Sequence, residues 1–250
     1  MGELSHSEAL KFYIVAGVDE TYGDSPSSFP GAVSPPFPGS TGESRANKSQ
    51  SGAEAEAERI ASECTSVAEL QAAIRAFDLC PLSKYATHPH VGAGVERPKL
   101  LVITEMPEAT EDALGRALSG PHGELLAKIM PNLKRSFDED AFVFPAIFWR
   151  PAGGVAPDKA VVSMLRPFVK KFVELLAPEM ILTLGSVPLG MLFGRDEAMA
   201  GAHGRWLKFE GIPVMPTFSL ASISINSELK KAAWKDMQLL LNPPEKSNVA

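Results

Sequence analysis

Residues 98–130, PKLLVITEMPEATEDALGRALSGPHGELLAKIM, constrain this chain more than any other stretch. Residues 99–104 form an apolar, partly β-branched run, short enough for a strand buried on both faces. Pro107 ends that run abruptly, because a proline nitrogen cannot donate to a ladder. Thr110 and the acidic pair Glu111-Asp112 fit the first turn of a helix or a tight acidic loop. Gly115, Gly120 and Gly123 then punctuate the chain before a helical pattern over residues 124–130. A buried strand whose carboxyl end opens into a glycine-rich acidic loop is where open α/β sheets place their ligands.

The remaining segments alternate in the same manner. Residues 1–18 carry a helical spacing of Ala9, Leu10, Tyr13 and Ile14. Residues 19–52 turn to Pro, Ser and Gly and predict a flexible linker with no core of its own. A helix pattern over 53–77 breaks near Cys64-Thr65-Ser66, where Ser66 is placed to cap a second helix. Further strands are expected at 141–149, 180–184 and 213–217, and further helices at 159–176, with Asp158 as cap, and 187–193. A last helix to about residue 240 is expected with Ser227 as its cap. Strands alternating with helices predict a three-layer α/β/α domain over 53–242, with a central, mostly parallel four-stranded sheet, a helical arm before it and a tail at 243–250.

Charge decides which partners are plausible. The net charge of −6 argues against a polyanion, but its distribution does not: residues 98–241 carry 16 basic and 16 acidic side chains, against 7 and 13 in residues 1–97. The acidic excess belongs to the N-terminal region, so the domain itself is neutral, and weak, salt-sensitive DNA binding is compatible with it. No run of apolar residues is long enough for a membrane span. The first residues lack the basic-then-apolar order of a secretory signal, and two cysteines are too few for a disulfide framework. A cytoplasmic protein with reduced thiols is expected.

The order Glu105-x-Pro107, Glu111-Asp112, Gly115, then Gly120-x-x-Gly123 before Leu125-Leu126 resembles the first motif of family-four uracil-DNA glycosylases. The likeness continues through residues 144–166, 180–194 and 205–240. It implies a glycosylase fold and, for the chemistry, a flipped base whose N-glycosidic bond is hydrolysed. The positions it implies are Glu105, Glu111 and Ser219 for catalysis; Met106, Pro107, Leu118 and Pro145 for the base; and Gly185, Ser186, Arg205 and Ser222 for DNA. Several of these depart from the family pattern. Leu118 stands for a stacking Phe, Pro145 for a base-reading Asn, Ser219 for a catalytic His and Ile225 for a wedge Arg. Thr104 and Glu108 replace glycines flanking the first motif. Of four cysteines that hold an iron–sulfur cluster in the family only Cys80 has a counterpart; the others fall on Phe77, Trp149 and Leu165, so no cluster and no metal are expected. Trp149-Arg150-Pro151 and Phe77-Asp78-Leu79-Cys80-Pro81 resemble a cluster-poor, alphaproteobacterial-type branch of glycosylase-like proteins.

Each of these residues also has a plainer role open to it. Glu105, Glu111 and Asp112 suit an acidic floor beside a sugar, and equally a set of backbone N–H acceptors at a helix start. His88 and His90 lack a third ligand at metal spacing. His122 lies between glycines and fits a proton donor or a solvent-facing loop residue. His203, Arg205, Trp206 and Lys208 form the best basic-aromatic cluster in the sequence. Gly185, following a strand, fits a phosphate cradle at a helix start. Two readings follow: a base-excision-repair glycosylase with reduced or lost activity, or a non-catalytic module on that scaffold binding nucleic acid or a partner. The expected partners are DNA, a protein through the N-terminal helix, and no membrane, for a monomer.

Overall fold

The structure is a computed structural model that describes residues 43–194 and 199–244. The expected N-terminal helix, most of the linker and most of the tail lie outside the described residues. Six strands form one sheet in the order β1-β3-β2-β4-β6-β5. They are β1 Ala93–Gly94, β2 Leu100–Thr104, β3 Ala141–Pro145, β4 Met180–Leu184, β5 Leu207–Phe209 and β6 Ile212–Thr217. The four expected strands make up the parallel centre, with Leu100 level with both Ala141 and Met180, and Leu182 level with Met215. The two short outer strands are antiparallel and extend the four-stranded expectation to six.

Alternation along the central strands divides the core between the two faces, as pleating requires. Leu101, Ile103, Phe142, Phe144 and Ile181 face one cluster with α1 (Glu43–Glu63), α2 (Val67–Ala76), α5 (Lys159–Leu176) and α6 (Ser186–Phe193). Leu100, Val102, Val143, Leu182 and Met215 face the other, with α4 (Pro121–Ile129), α8 (Leu220–Ile225) and α9 (Ser227–Gln238). Short helices α3 (Ala109–Leu114) and α7 (Met199–Ala202) complete the chain. Helix α5 is the backbone of the first layer: Asp158 accepts from the Val161 N–H at 2.8 Å, and Phe168 and Phe172 stack into Phe77, Phe144 and Phe148. No helix among the described residues is long and apolar enough to cross a membrane.

Three expectations about element boundaries change. Helix α1 begins at Glu43, inside the segment read as linker, because residues 43–51 hold neither proline nor glycine, and their three serines mask a tolerable helix. The strand expected over 141–149 stops at Pro145. Residues 146–149 remain buried but form a loop whose Ala146 and Ile147 N–H groups bond to the carbonyls of Thr104 and Glu105. Asn226, rather than Ser227, caps α9, accepting from the N–H groups of Glu228 and Leu229.

Candidate active site

The carboxyl ends of β2, β4 and β6 open onto a cleft of about 480 Å³ whose walls include Glu105, Glu108, Glu111, Leu118, His122, Arg150, Ser219 and Ser222. Glu105 follows β2 directly. Its carboxyl group accepts the N–H groups of Ser186 and Val187, the first residues of α6, and the hydroxyl of Ser219, which follows β6. Burial pushes the Glu105 carboxyl above its ordinary range, and those hydrogen bonds oppose the shift without cancelling it. Gly185 has φ of 112°, and a side chain there would collide with the Glu105 carboxyl, so only glycine permits this approach.

Ser219 is a hub of small polar contacts. It caps α8 by accepting from the Ser222 N–H at 3.2 Å, and its Oγ lies 2.9 Å from Ser222 Oγ. A carboxylate offers no proton, so an ionised Glu105 makes Ser219 the donor, and the Ser222 hydroxyl then donates to Ser219. A short relay of hydroxyls therefore ends on the half-buried carboxyl.

The other acidic residues serve the backbone. Glu111 accepts the Glu108 N–H at 2.8 Å and the Leu118 N–H at 2.6 Å. Leu118 is thereby held at φ 57°, a left-handed conformation unusual for a branched side chain, with its backbone close against Gly123. Asp112 turns away from the cleft and accepts the N–H groups of Thr87 and His88, at 2.8 and 3.2 Å. Glu108 accepts the His122 N–H at 2.9 Å and pairs with His122 Nδ1 at 3.1 Å. Arg150, half-buried on the cleft wall, has no hydrogen bond or ion pair among the described residues. A cation without a partner among the described residues and a half-buried carboxyl on one cleft suit an anionic ligand whose neutral centre gains positive charge.

Of the residues singled out in the sequence, Glu105, Met106, Pro107, Glu111, Leu118, Ser219 and Ser222 line the cleft together. Pro145, Gly185, Ser186 and Arg205 do not. Pro145 is buried at the end of β3, level with Thr104. The phosphate cradle expected at Gly185-Ser186 is filled from within: the N–H groups of Ser186 and Val187 are already given to Glu105. Arg205 is exposed on the loop before β5. Glu108 and Arg150 were absent from the sequence candidates. Arg150 stood in the Arg-Pro pair beside a cysteine-equivalent position, whereas nothing in periodicity links Glu108 to His122.

The cluster implied by the resemblance does not fit these residues. Phe77, Cys80, Trp149 and Leu165 are all buried in one apolar core, with Phe77 edge-on to Phe168 at 5.2 Å. One thiol and three hydrocarbon side chains cannot supply four thiolates, and burial pushes the Cys80 thiol up, which keeps it neutral. Cys64 bonds to the Ile60 carbonyl in α1. His88 Nδ1 contacts the Asp112 carbonyl, and His90 is buried with burial lowering its pKa. Among the described residues no group of three His, Cys, Asp or Glu is placed to hold a metal ion.

A parallel sheet between helical layers, with an acidic first motif on β2 and a serine-capped helix after β6 closing one cleft, defines a recognisable class. The chain belongs to the uracil DNA glycosylase superfamily, whose pattern it matches over residues 91–238. Within it the chain is similar to type-4 uracil-DNA glycosylases. That of Saccharolobus solfataricus is 24% identical over 173 residues, covering 66% of this chain and 80% of the relative. That of Thermotoga maritima is 26% identical over 167 residues (64% and 84%), and that of Pyrobaculum aerophilum 29% over 121 (48% and 60%).

Proposed function

We propose that this protein acts in DNA base-excision repair, admitting an extruded, deaminated base to the cleft and hydrolysing its N-glycosidic bond at a reduced rate. The observation that carries the reading is the hydrogen bond between Glu105 and Ser219 on one cleft wall. As the bond from the sugar C1′ to the base nitrogen breaks, its electron pair leaves with the base and the sugar becomes cation-like. An ionised Glu105 stabilises that cation and holds the water whose oxygen bonds to C1′. The water's proton passes to Glu105, and the departing base is protonated from solvent. Ser219 and Ser222 spend their single hydroxyl protons on Glu105 and on Ser219, which leaves the departing oxygen without the donor that an imidazole would supply, while Leu118 offers an apolar face without an aromatic one. Arg150 meets a phosphate of the strand. Exposed Ile225, 89% accessible at the end of α8, fills the space that the flipped base vacates.

A second reading, binding without cleavage, is favoured by Pro145. At the end of β3 it presents no side-chain hydrogen bond with which to read a base edge. In either case the partner is DNA, bound weakly by a cytoplasmic monomer that carries no iron–sulfur cluster, with the N-terminal segment available to a protein partner. The two readings separate in one assay. Oligonucleotides carrying uracil, hypoxanthine or xanthine are incubated with the protein and abasic sites cleaved with alkali. Product that disappears with Glu105→Gln supports the enzyme; binding to abasic DNA with no product from any base supports the module.

A further inference from the structure

Outside the cleft, helix α9 buries a carboxylate that no part of the proposed chemistry uses. Asp236 is 5% exposed, on the same helix face as the buried Ala233 and Met237. Its Oδ2 accepts the Thr217 hydroxyl at 2.7 Å and stands 3.3 Å from His203 Nδ1; among the described residues His203 is its only ionic partner. Gly204 presses against Asp236 closely enough that a side chain there would stand 2.8 Å from Oδ1. The His203 ring packs on Phe218 with centroids 4.6 Å apart. Thr217 and Phe218 lead directly into Ser219, so the His203 loop borders the cleft through the end of β6.

A buried charge persists only when it is paired or hydrogen-bonded. Because a carboxylate accepts and never donates, the proton on the inner edge of the imidazole must sit on Nδ1. Nε2 is then the ring nitrogen left free of Asp236, on a side chain that is 31% exposed, and exposed Arg205 follows two residues later. In this tautomer a neutral ring presents an acceptor at Nε2, which repels a phosphate oxygen; an imidazolium presents a donor. A phosphate at this place therefore selects the protonated ring. The charged group in contact with His203 is Asp236 from α9, and Arg205 lies two residues along the same loop, while β6 contributes the neutral Thr217 and Phe218 follows it.

We infer that His203, oriented by the buried Asp236, forms with Arg205 a proton-linked clamp on one phosphate of the DNA strand outside the cleft. This rests on DNA being the partner, but not on cleavage. Asp236 acts here as a positioning residue for His203, and Thr217 fixes the carboxylate in turn.

The test is binding of an oligonucleotide containing a tetrahydrofuran abasic analogue, which cannot be cleaved, measured by fluorescence anisotropy from about pH 5 to about pH 8, the range over which imidazoles change charge. Across that range the affinity of the unaltered protein should fall as pH rises, by up to about tenfold per pH unit, as uptake of one proton requires. His203→Gln should flatten that dependence, and Asp236→Asn should weaken it. Arg205→Ala should keep it while reducing the salt slope by about one. A His203→Gln protein with the unaltered protein's pH dependence would overturn the clamp, even if DNA binds well and base excision proceeds. So would inorganic phosphate binding that depends on His203 when DNA binding does not. Absence of any DNA binding would remove the proposed partner and the clamp with it, whereas a pH-independent affinity would remove the clamp alone.

Discussion

The hydroxyl of Ser219, which follows β6, hydrogen-bonds to the carboxyl of Glu105, which follows β2, although more than a hundred residues separate them. The two strands are not neighbours; β4 lies between them and delivers Gly185, the residue whose lack of a side chain lets the carboxyl reach α6. Three strand ends thus converge on one group. Its behaviour should report on the whole cleft.

Glu105 titrates higher folded than unfolded, so the native state holds the extra proton between about pH 4.5 and the raised native value. Its contribution to stability is fully present below the unfolded value and is lost as pH rises through the native one. Glu105→Gln lacks this loss. Urea denaturation should show the Gln variant gaining on the unaltered protein as pH rises from about 4.5 through the raised native value, then a constant difference. A difference independent of pH would contradict the burial of this carboxyl.

Ser219→Ala removes both the α8 cap and a hydrogen bond to Glu105. Loss of about 1–2 kcal/mol is expected in denaturant unfolding. The Glu105 titration, followed by carboxyl carbon NMR, should move further upward, since a bond favouring the charged form is gone. Ser219→Asn keeps a cap and should recover most of the stability.

Glu111→Ala leaves the Leu118 N–H without its acceptor, at a position already strained by its positive φ. A loss of about 1–3 kcal/mol is expected. Leu118→Gly relieves the left-handed strain, by about 1 kcal/mol, but sacrifices apolar contact with the cleft. The two substitutions should be non-additive in a double-mutant cycle, because one residue holds the other.

Iron should have no part in the fold. Protein purified without oxygen from iron-supplemented cultures should show no visible charge-transfer absorption and no stoichiometric iron. Cys80→Ala should unfold within about 2 kcal/mol of the parent, the scale of a small buried side chain lost. Stoichiometric iron, released on Cys80 substitution, would contradict the apolar packing of Phe77, Trp149 and Leu165.

Much of this architecture was legible in the sequence because the central strands are short apolar runs bounded by Pro or Gly. Strands β1 and β5 were not: two and three residues long, they owe their conformation to pairing with β3 and β6 rather than to any pattern of their own. Residues 146–149 read as strand because burial, not backbone geometry, dictates an apolar run. In the site, the acidic loop was visible but its division of labour was not. Glu111 and Asp112 serve N–H groups that sequence spacing does not reveal, and the apparent phosphate cradle at Gly185 turns out to be satisfied by a carboxyl from another strand. The meeting of Glu105 and Ser219 came through family likeness alone, since no periodicity links two strand ends on a sheet.

Single-turnover cleavage of a uracil-containing single-stranded oligonucleotide, with excess protein, tests the central claim most directly. Alkali-sensitive product should accumulate with the unaltered protein and slow by about a hundredfold or more with Glu105→Gln, as expected when a group stabilising transition-state charge is lost. Equal rates for the two proteins would show that the cleft around Glu105 is not where the bond breaks. No product from either, beside intact binding of the abasic analogue, would show a scaffold that grips DNA without cutting the base from it.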